Sequence, residues 1–281
     1  AALAPSSYAG LFGKSRDKHT FAFFSDAHIA ADAATVSRNV NMADNLAACV
    51  RDLSAWPVKP AAVIVNGDLA LKDGQPGDYA KLGNLIGPAR ALAPVHLLLG
   101  NHDQRENFWA AFPQDATRQK AVPQKQCAVF SSPRANWFLL DSLDITLSTP
   151  GDLGAEQFLW LSQALTARPD QPAIIVAHHN LNTLGGIEGL KDSTAMEELF
   201  ARHPQIKAFI FGHTHNWSVS QHKTGVHLIN LPPTSYVFGK GRPSGWVRCT
   251  LARDGMEVEL RALDVKHPDH AQVKQLKWRA A

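Results

Sequence analysis

Asp26 and His28 stand two residues apart, so on an extended chain both side chains point the same way. His213 and His215 repeat that spacing around Thr214, and Gly212 just before them lets the backbone turn sharply. Asp68, Asn101 and His178 add a carboxylate, a neutral amide oxygen and an imidazole. These seven side chains make a nitrogen and oxygen donor set suited to divalent first-row metals. A single tetrahedral zinc takes about four ligands. Seven suits two ions that share a carboxylate, and Asp68 is the expected bridge. Paired ions roughly 3.5–4 Å apart lower the pKa of bound water, hold a hydroxide between them and neutralise phosphoryl oxygens. The chemistry expected of this set is hydrolysis of a phosphate ester.

Each donor follows a short apolar run. Phe21–Phe24 leads to Asp26, Ala62–Val65 to Asp68, His96–Leu99 to Asn101, Ile174–Val176 to His178, and Phe209–Phe211 to His213. Short apolar runs bounded by turn residues predict buried strands. Ligands of open α/β sheets bind beyond the carboxyl ends of the strands, so neighbouring strands would bring these donors to one edge. Between the runs, helical periodicity predicts helices over Ser37–Ser54, Asp78–Leu92, Gly154–Arg168 and Ser193–His203, the last with Ser193 as its N-cap. Cys127–Ser131 and Asn136–Asp141 predict a hairpin. After His215 the pattern turns to strands: Val219–Gln221, Val226–Leu231, Gly245–Ala252 and Met256–Leu263, with a turn at Asp254-Gly255. The expected fold is α/β, a four-layer α/β/β/α sandwich of two mixed β-sheets flanked by helices. Residues 1–18 read as an N-terminal arm, 19–264 as one domain and 265–281 as a basic, solvated C-terminal tail.

The 281 residues, 45% hydrophobic and 19% charged, suffice for a large core in a soluble globular chain. A net charge of +3 does not by itself imply a nucleic-acid or anionic-membrane partner. No dense Lys/Arg cluster with interleaved aromatics lies outside the tail, which argues against a nuclease. No stretch approaches the ~18 apolar residues of a membrane span. Cys49, Cys127 and Cys249 are odd in number and far apart, so buried thiols are expected rather than a disulfide framework. The start Ala1-Ala2-Leu3-Ala4-Pro5 has no initiating Met and suits the mature side of a leader cleavage site. Cytoplasmic and exported locations both stay open.

The series Asp26-x-His28, Gly67-Asp68, Gly100-Asn101-His102-Asp103, His178 and Gly212-His213-Thr214-His215 resembles the calcineurin-like metallophosphoesterases over roughly residues 19–250. Within them it is most similar to the bacterial cyclic-nucleotide and glycerophosphodiester phosphodiesterase branch. The resemblance implies the four-layer fold and hydrolysis of a phosphodiester or phosphomonoester by hydroxide at a binuclear centre. It implies that Asp26, His28, Asp68 and His215 hold one ion and Asp68, Asn101, His178 and His213 the other. Manganese, iron and zinc all suit these ligands. His102 matches the family's non-ligand histidine, which contacts substrate phosphate and protonates the leaving group. Asp103 either orients His102 or caps the next helix. Asn101, His179 and Arg105 join His102 as expected substrate contacts, and Trp109, Trp217, Tyr236 and Phe238 are candidate pocket walls. The chain departs from the branch at Asn180-Leu181-Asn182, where prolines usually follow the histidine pair. The expected partner is a small-molecule phosphate ester, with no nucleic acid and no membrane; a homo-oligomer stays open. Two rival readings are a nucleotide-conjugate pyrophosphohydrolase and a non-catalytic binding scaffold on the same fold. The scaffold reading is weakened because every ligand position is filled.

Overall fold

The computed structural model describes residues 15–115 and 122–280. Strands β1 (Thr20–Ser25), β2 (Val36–Ser37) and β3 (Val40–Asn41) precede helix α1 (Met42–Ala55). Then come β4 (Ala62–Asn66), α2 (Pro76–Leu85), α3 (Gly87–Leu92), β5 (Val95–Leu98) and α4 (Arg105–Ala111). The second half runs β6 (Ala128–Ser132), β7 (Ala135–Leu139), α5 (Ala155–Thr166), β8 (Ala173–Val176), α6 (Ser193–Arg202) and β9 (Ile206–Phe211). Strands β10 (Ser218–Gln221), β11 (His227–Asn230), β12 (Gly245–Leu251), β13 (Gly255–Ala262) and β14 (Val273–Lys277) close the fold.

One sheet has the order β14-β13-β12-β1-β4-β5 and the other β10-β11-β9-β8-β7-β6. Neighbours β1, β4 and β5 are parallel, as are β7, β8, β9 and β11. Antiparallel strands extend each sheet, so both are mixed. Their inner faces meet through Phe21, Phe23, Trp137, Ile174 and Ile210, all buried. Phe21 packs on Trp137 with ring centroids 4.3 Å apart. Burying one such side chain stabilises the fold by about 1.5–3 kcal/mol. Leu46, Leu53, Tyr79 and Leu82 of α1 and α2 cover the outer face of the first sheet. Leu161, Leu165, Met196 and Phe200 of α5 and α6 cover the second. The four-layer α/β/β/α sandwich is therefore present. Its parallel strands are mostly apolar in their interiors because both faces are covered.

Register explains why the strand ends converge. Ser25 lies opposite Asn66, and Asn66 opposite Leu98, so β1, β4 and β5 finish level. Val176 lies opposite Ile210 in the other sheet. The Asn66 side-chain amide donates to the Ala177 carbonyl at 3.0 Å, tying the two sheets together at this edge.

Several elements differ from expectation. The segment predicted as helix from Ser37 begins as the hairpin β2–β3, whose turn residues Arg38 and Asn39 have φ of 49° and 63°. The helix starts at Met42 because the Asn41 side chain accepts from the Asp44 amide at 3.0 Å, an N-cap. Asp78–Leu92 is two helices, with Pro88 in the first turn of the second. Asp192, not Ser193, precedes α6; the Ser193 hydroxyl donates to the Leu190 carbonyl at 2.6 Å. The basic tail is not a solvated strap. β14 pairs with β13, Leu276 is buried, and Arg279 donates to the carbonyls of Phe200, His203, Ile206 and Thr224. Residues 1–14 of the expected arm lie outside the described residues. All three cysteines are free and buried. Among the described residues no helix is long and apolar enough to cross a membrane.

Candidate metal centre

Asp26, His28, Asp68, His213 and His215 all have φ between 47° and 66°. Non-glycine residues seldom enter this left-handed region and do so where the surroundings over-determine them. Here the loops are laddered: the Asp26 amide donates to the Gly67 carbonyl at 3.1 Å, and the His28 amide to the Asp68 carbonyl at 2.9 Å. Asp26 and His28 therefore meet through a turned backbone rather than the alternation of an extended chain. Gly212 also serves a different purpose from the sharp turn expected of it. A Cβ there would fall 2.1 Å from Ser25 Oγ and 2.5 Å from Asp26 Oδ2. Gly100 is constrained likewise, its Cβ position lying 2.3 Å from Asp68 Oδ1.

The donors gather in two buried clusters. Ligand atoms of Asp26, His28, Asp68 and His215 lie within 4.8 Å of one another, as do those of His178, His179 and His213. Asp68 stands between them, with Oδ2 3.5 Å from His28 Nε2 and 3.4 Å from His178 Nε2. Asp26 Oδ1 is 3.5 Å from His215 Nε2 and 4.0 Å from His178 Nε2. Asn101, next to Gly100 whose Cβ position abuts Asp68 and His178, is buried with its Oδ1 lacking any hydrogen-bond partner.

The rings are aimed by their back sides. Nδ1 of His28 meets the Leu71 carbonyl (3.2 Å), Nδ1 of His178 that of Asn66 (2.9 Å), and Nδ1 of His215 that of Tyr236 (2.5 Å). His213 uses Nε2, on the Glu188 carbonyl at 3.0 Å. A carbonyl only accepts, so the bonded nitrogen carries the proton and the other nitrogen of a neutral ring offers a lone pair. His28 Nε2 and His215 Nε2 then face each other at 3.1 Å, lone pair to lone pair, beside two carboxylates. A cation between them relieves that repulsion. His178 Nε2 and His179 Nε2 are buried without partners, like Asn101 Oδ1. The residues fit two divalent ions.

Titration sets His178 apart from the other rings. Burial lowers His28 and His215 to about 4 and His213 to about 3, leaving them unprotonated at neutral pH. Burial would also lower His178, but Asp68 and Asp26 beside it outweigh this and raise it to about 9. Burial pushes Asp68 up, yet His178 and His28 hold it well below the usual carboxylate range.

Six of the seven expected donors fall in these two clusters, and the seventh, Asn101, follows Gly100, which packs against Asp68 and His178. His102 lies at the half-exposed rim. Its amide donates to Asp68 Oδ1 at 2.9 Å, its ring is 4.9 Å from that of His28, and its Nδ1 meets the Lys72 carbonyl at 2.7 Å. Three other expectations need correcting. Asp103 neither orients the His102 ring nor caps α4, a role taken by Gln104. Its buried carboxylate accepts from the amides of Gly100, Leu69 and Ala70 and from the Tyr79 hydroxyl, clamping two site loops together. The Arg105 guanidinium is engaged away from the centre, on Asp141 at 2.8 and 3.0 Å and on backbone carbonyls. His179 is fully buried, with Nδ1 on Ser142 Oγ at 2.8 Å and its ring 4.5 Å from His213, so it packs within the second cluster rather than at an open rim.

Of the four aromatics, Trp217 belongs to the inter-sheet core and Trp109 donates to Gln126. Tyr236 and Phe238 do wall the centre, stacking on His28 and His215. Sequence reading missed Arg38, which reaches these two rings. The pair Arg38-Asn39 between two short β-prone pairs was the available signal.

Residues 19–217 match the family profile of calcineurin-like phosphoesterases. The chain is 26% identical over 243 residues to the 3′,5′-cyclic adenosine monophosphate phosphodiesterase CpdA of Vibrio vulnificus, covering 84% of each chain. It is 26% identical over 191 residues to the glycerophosphodiester phosphodiesterase GpdQ of Enterobacter lignolyticus, 66% of each chain. Its fold is similar to that of a dimetal phosphatase from Danio rerio, with a TM-score of 0.71 and 16% identity over 93% of this chain and 99% of that one.

Proposed function

The chain belongs to the calcineurin-like phosphoesterase family, and from that premise we propose which ester it cleaves and how its residues divide the work. It is a metal-dependent hydrolase of phosphoric esters with two ions at the converged strand ends. Its preferred substrate is a small phosphodiester, in line with the activities named for CpdA and GpdQ. Asp26, His28, Asp68 and His215 hold one ion; Asp68, Asn101, His178 and His213 hold the other. Manganese, iron and zinc are the candidate metals. Bound ions supply Lewis acidity, an activated water and positive charge for the phosphoryl oxygens.

The protein's own groups provide aim, dryness and a proton. The carbonyls of Leu71, Asn66, Glu188 and Tyr236 fix each ring and its tautomer, as outer-shell partners do in metal sites. Burial of Asp26 and Asp68 strengthens their attraction for the cations that would face the phosphoryl group. His102 keeps its Nδ1 proton on Lys72, which leaves Nε2 to carry a proton to the departing oxygen. The observation that carries this reading is the pair of Nε2 atoms of His28 and His215 facing each other at 3.1 Å, with His178 Nε2 on the other side of the Asp68 carboxylate.

The test loads metal-free protein with manganese, iron or zinc and assays bis-p-nitrophenyl phosphate, p-nitrophenyl phosphate and a nucleotide diphosphate conjugate. Two ions per chain by elemental analysis, with fastest turnover of the diester, is expected. Fastest turnover of the conjugate would replace this reading with pyrophosphate hydrolysis. No ions and no turnover would favour a scaffold.

A further inference from the structure

Beside the first cluster stands a feature that metal binding does not require. After β11 the chain is bolted to the end of β1: the Thr234 amide donates to the Ser25 carbonyl at 2.8 Å, and the Ser235 hydroxyl to the Asp26 carbonyl at 2.6 Å. The next side chains then have fixed positions. Tyr236 stacks on His28 and His215 at 5.1 and 5.0 Å, with interplanar angles of 25° and 27°. Phe238 stacks on His215 at 4.1 Å and 22°. Tyr236 is 8% exposed, but Phe238 is 44% exposed, unusual for a phenyl held so firmly. The guanidinium of Arg38 lies 5.0 Å from the Phe238 centroid and 5.5 Å from that of Tyr236. Arg38 is presented by a two-residue hairpin turn in which neither residue is glycine, although both have left-handed φ. Among the described residues Arg38 forms no salt bridge.

We propose that Arg38, Tyr236 and Phe238 form a recognition wall that selects phosphodiesters carrying a planar heteroaromatic group, the chemical class of a nucleobase. The inference rests on the phosphodiester reading above and narrows it. An exposed ring with its back on a metal-site histidine offers a stacking surface one side chain from the reacting phosphate. A guanidinium plane adds a second surface for a π-face, and bases stack well on both groups. A polyol ester has no π-face to offer. An ester ending in a quaternary ammonium would find aromatic rings but also the repulsion of Arg38. The strained hairpin tip is explained if the position of Arg38 matters to the ligand.

The experiment uses manganese-loaded protein and two diesters, adenosine 3′,5′-cyclic monophosphate and glycerophosphoethanolamine. The quantity read is the ratio of their kcat/KM values. Phe238→Ala should lower that ratio by ~5- to 150-fold, chiefly through KM for the nucleotide, because stacking contributes about 1–3 kcal/mol per base. Phe238→Trp should restore it. Arg38→Gln should lower it ~2- to 5-fold, on the scale of an exposed cation–π contact. Calorimetric binding of adenosine 5′-monophosphate should weaken in the same order. A ratio and an affinity unmoved by Phe238→Ala would overturn the proposal, leaving Phe238 as packing for His215. Discrimination lost only in Arg38→Gln, and only for substrates with a second anionic group, would overturn it in favour of an anion clamp. If neither ester is cleaved, the phosphodiester reading fails by itself, and the nucleotide-binding comparison still decides whether the wall exists.

Discussion

The two clusters of metal-binding side chains meet at Asp68 but are made of different material. The first combines two buried carboxylates, Asp26 and Asp68, with His28 and His215. The second gathers the imidazoles of His178, His179 and His213, with Asp68 Oδ2 3.4 Å from His178 Nε2 and, in the proposed ligand set, the neutral amide of Asn101. Buried charge is costly unless compensated, so the first cluster gains most from a cation even without substrate. The second is nearly neutral, and an ion there keeps most of its positive charge for whatever enters. A substrate phosphoryl group is the natural complement. The asymmetry predicts a division of labour, with a first ion held as part of the fold and a second that exchanges more readily and meets the ester.

The change expected to do most harm removes what the clusters share. Asp68→Ala should leave neither ion bound at micromolar manganese and reduce turnover of bis-p-nitrophenyl phosphate by at least ~10³-fold. Elemental analysis after desalting reads the first effect and initial rates the second. If one ion survived, Asp26 alone would suffice for the first cluster, and the asymmetry between the two would be steeper still.

His102 sharpens the comparison differently, because it touches Asp68 through its amide yet lies outside both clusters. His102→Ala should retain both ions. It should slow diesters with alkoxide leaving groups by ~10²–10³-fold, and those releasing p-nitrophenolate much less, since the latter needs no proton. A leaving-group series would show this as a steeper dependence of rate on leaving-group pKa. Uniform slowing would reduce His102 to a phosphate contact.

The site was more legible than its supports. Short apolar runs ending in Asp, Asn or His announce buried strands with donors at their tips, because strand type and ligand type are both local properties. What lay out of reach depends on partners distant in sequence. Arg105 looked like a phosphate contact until Asp141, 36 residues on, took its guanidinium. Asp103 looked like a catalytic orienter, but its partners Leu69 and Ala70 come from another loop. The tail strand Val273–Lys277 escaped notice because an edge strand with one buried side chain, Leu276, has no hydrophobic pattern to detect. The hairpin before α1 was hidden by apolar positions that also suit a helix, and only the cap at Asn41 decides between them.

Asn101 tests the exchangeable second ion. Asn101→Ala should weaken that ion alone, by ~10–100-fold, with activity recovering at millimolar manganese. Asp26→Ala should lose the first ion without such recovery, because it removes a charge rather than a neutral donor. Equal recovery in both variants would abolish the distinction between the clusters.

The smallest effect separates the clusters by pH. In the metal-free chain His178 titrates at about 9, so at pH 7 it carries a proton, whereas His28 and His215, lowered to about 4, carry none. An ion bound at His178 needs the neutral ring and must displace that proton. Raising the pH removes the competitor, so second-ion affinity should climb by about tenfold per unit from pH 7 towards 9 and level off above. The histidines of the first cluster are already neutral there and add no such slope. Manganese titrations at several pH values, with proton release followed in weak buffer, would resolve the two ions. Matching slopes would mean that the displaced proton belongs to a group common to both clusters, and the two halves of the centre would then have to be treated as one.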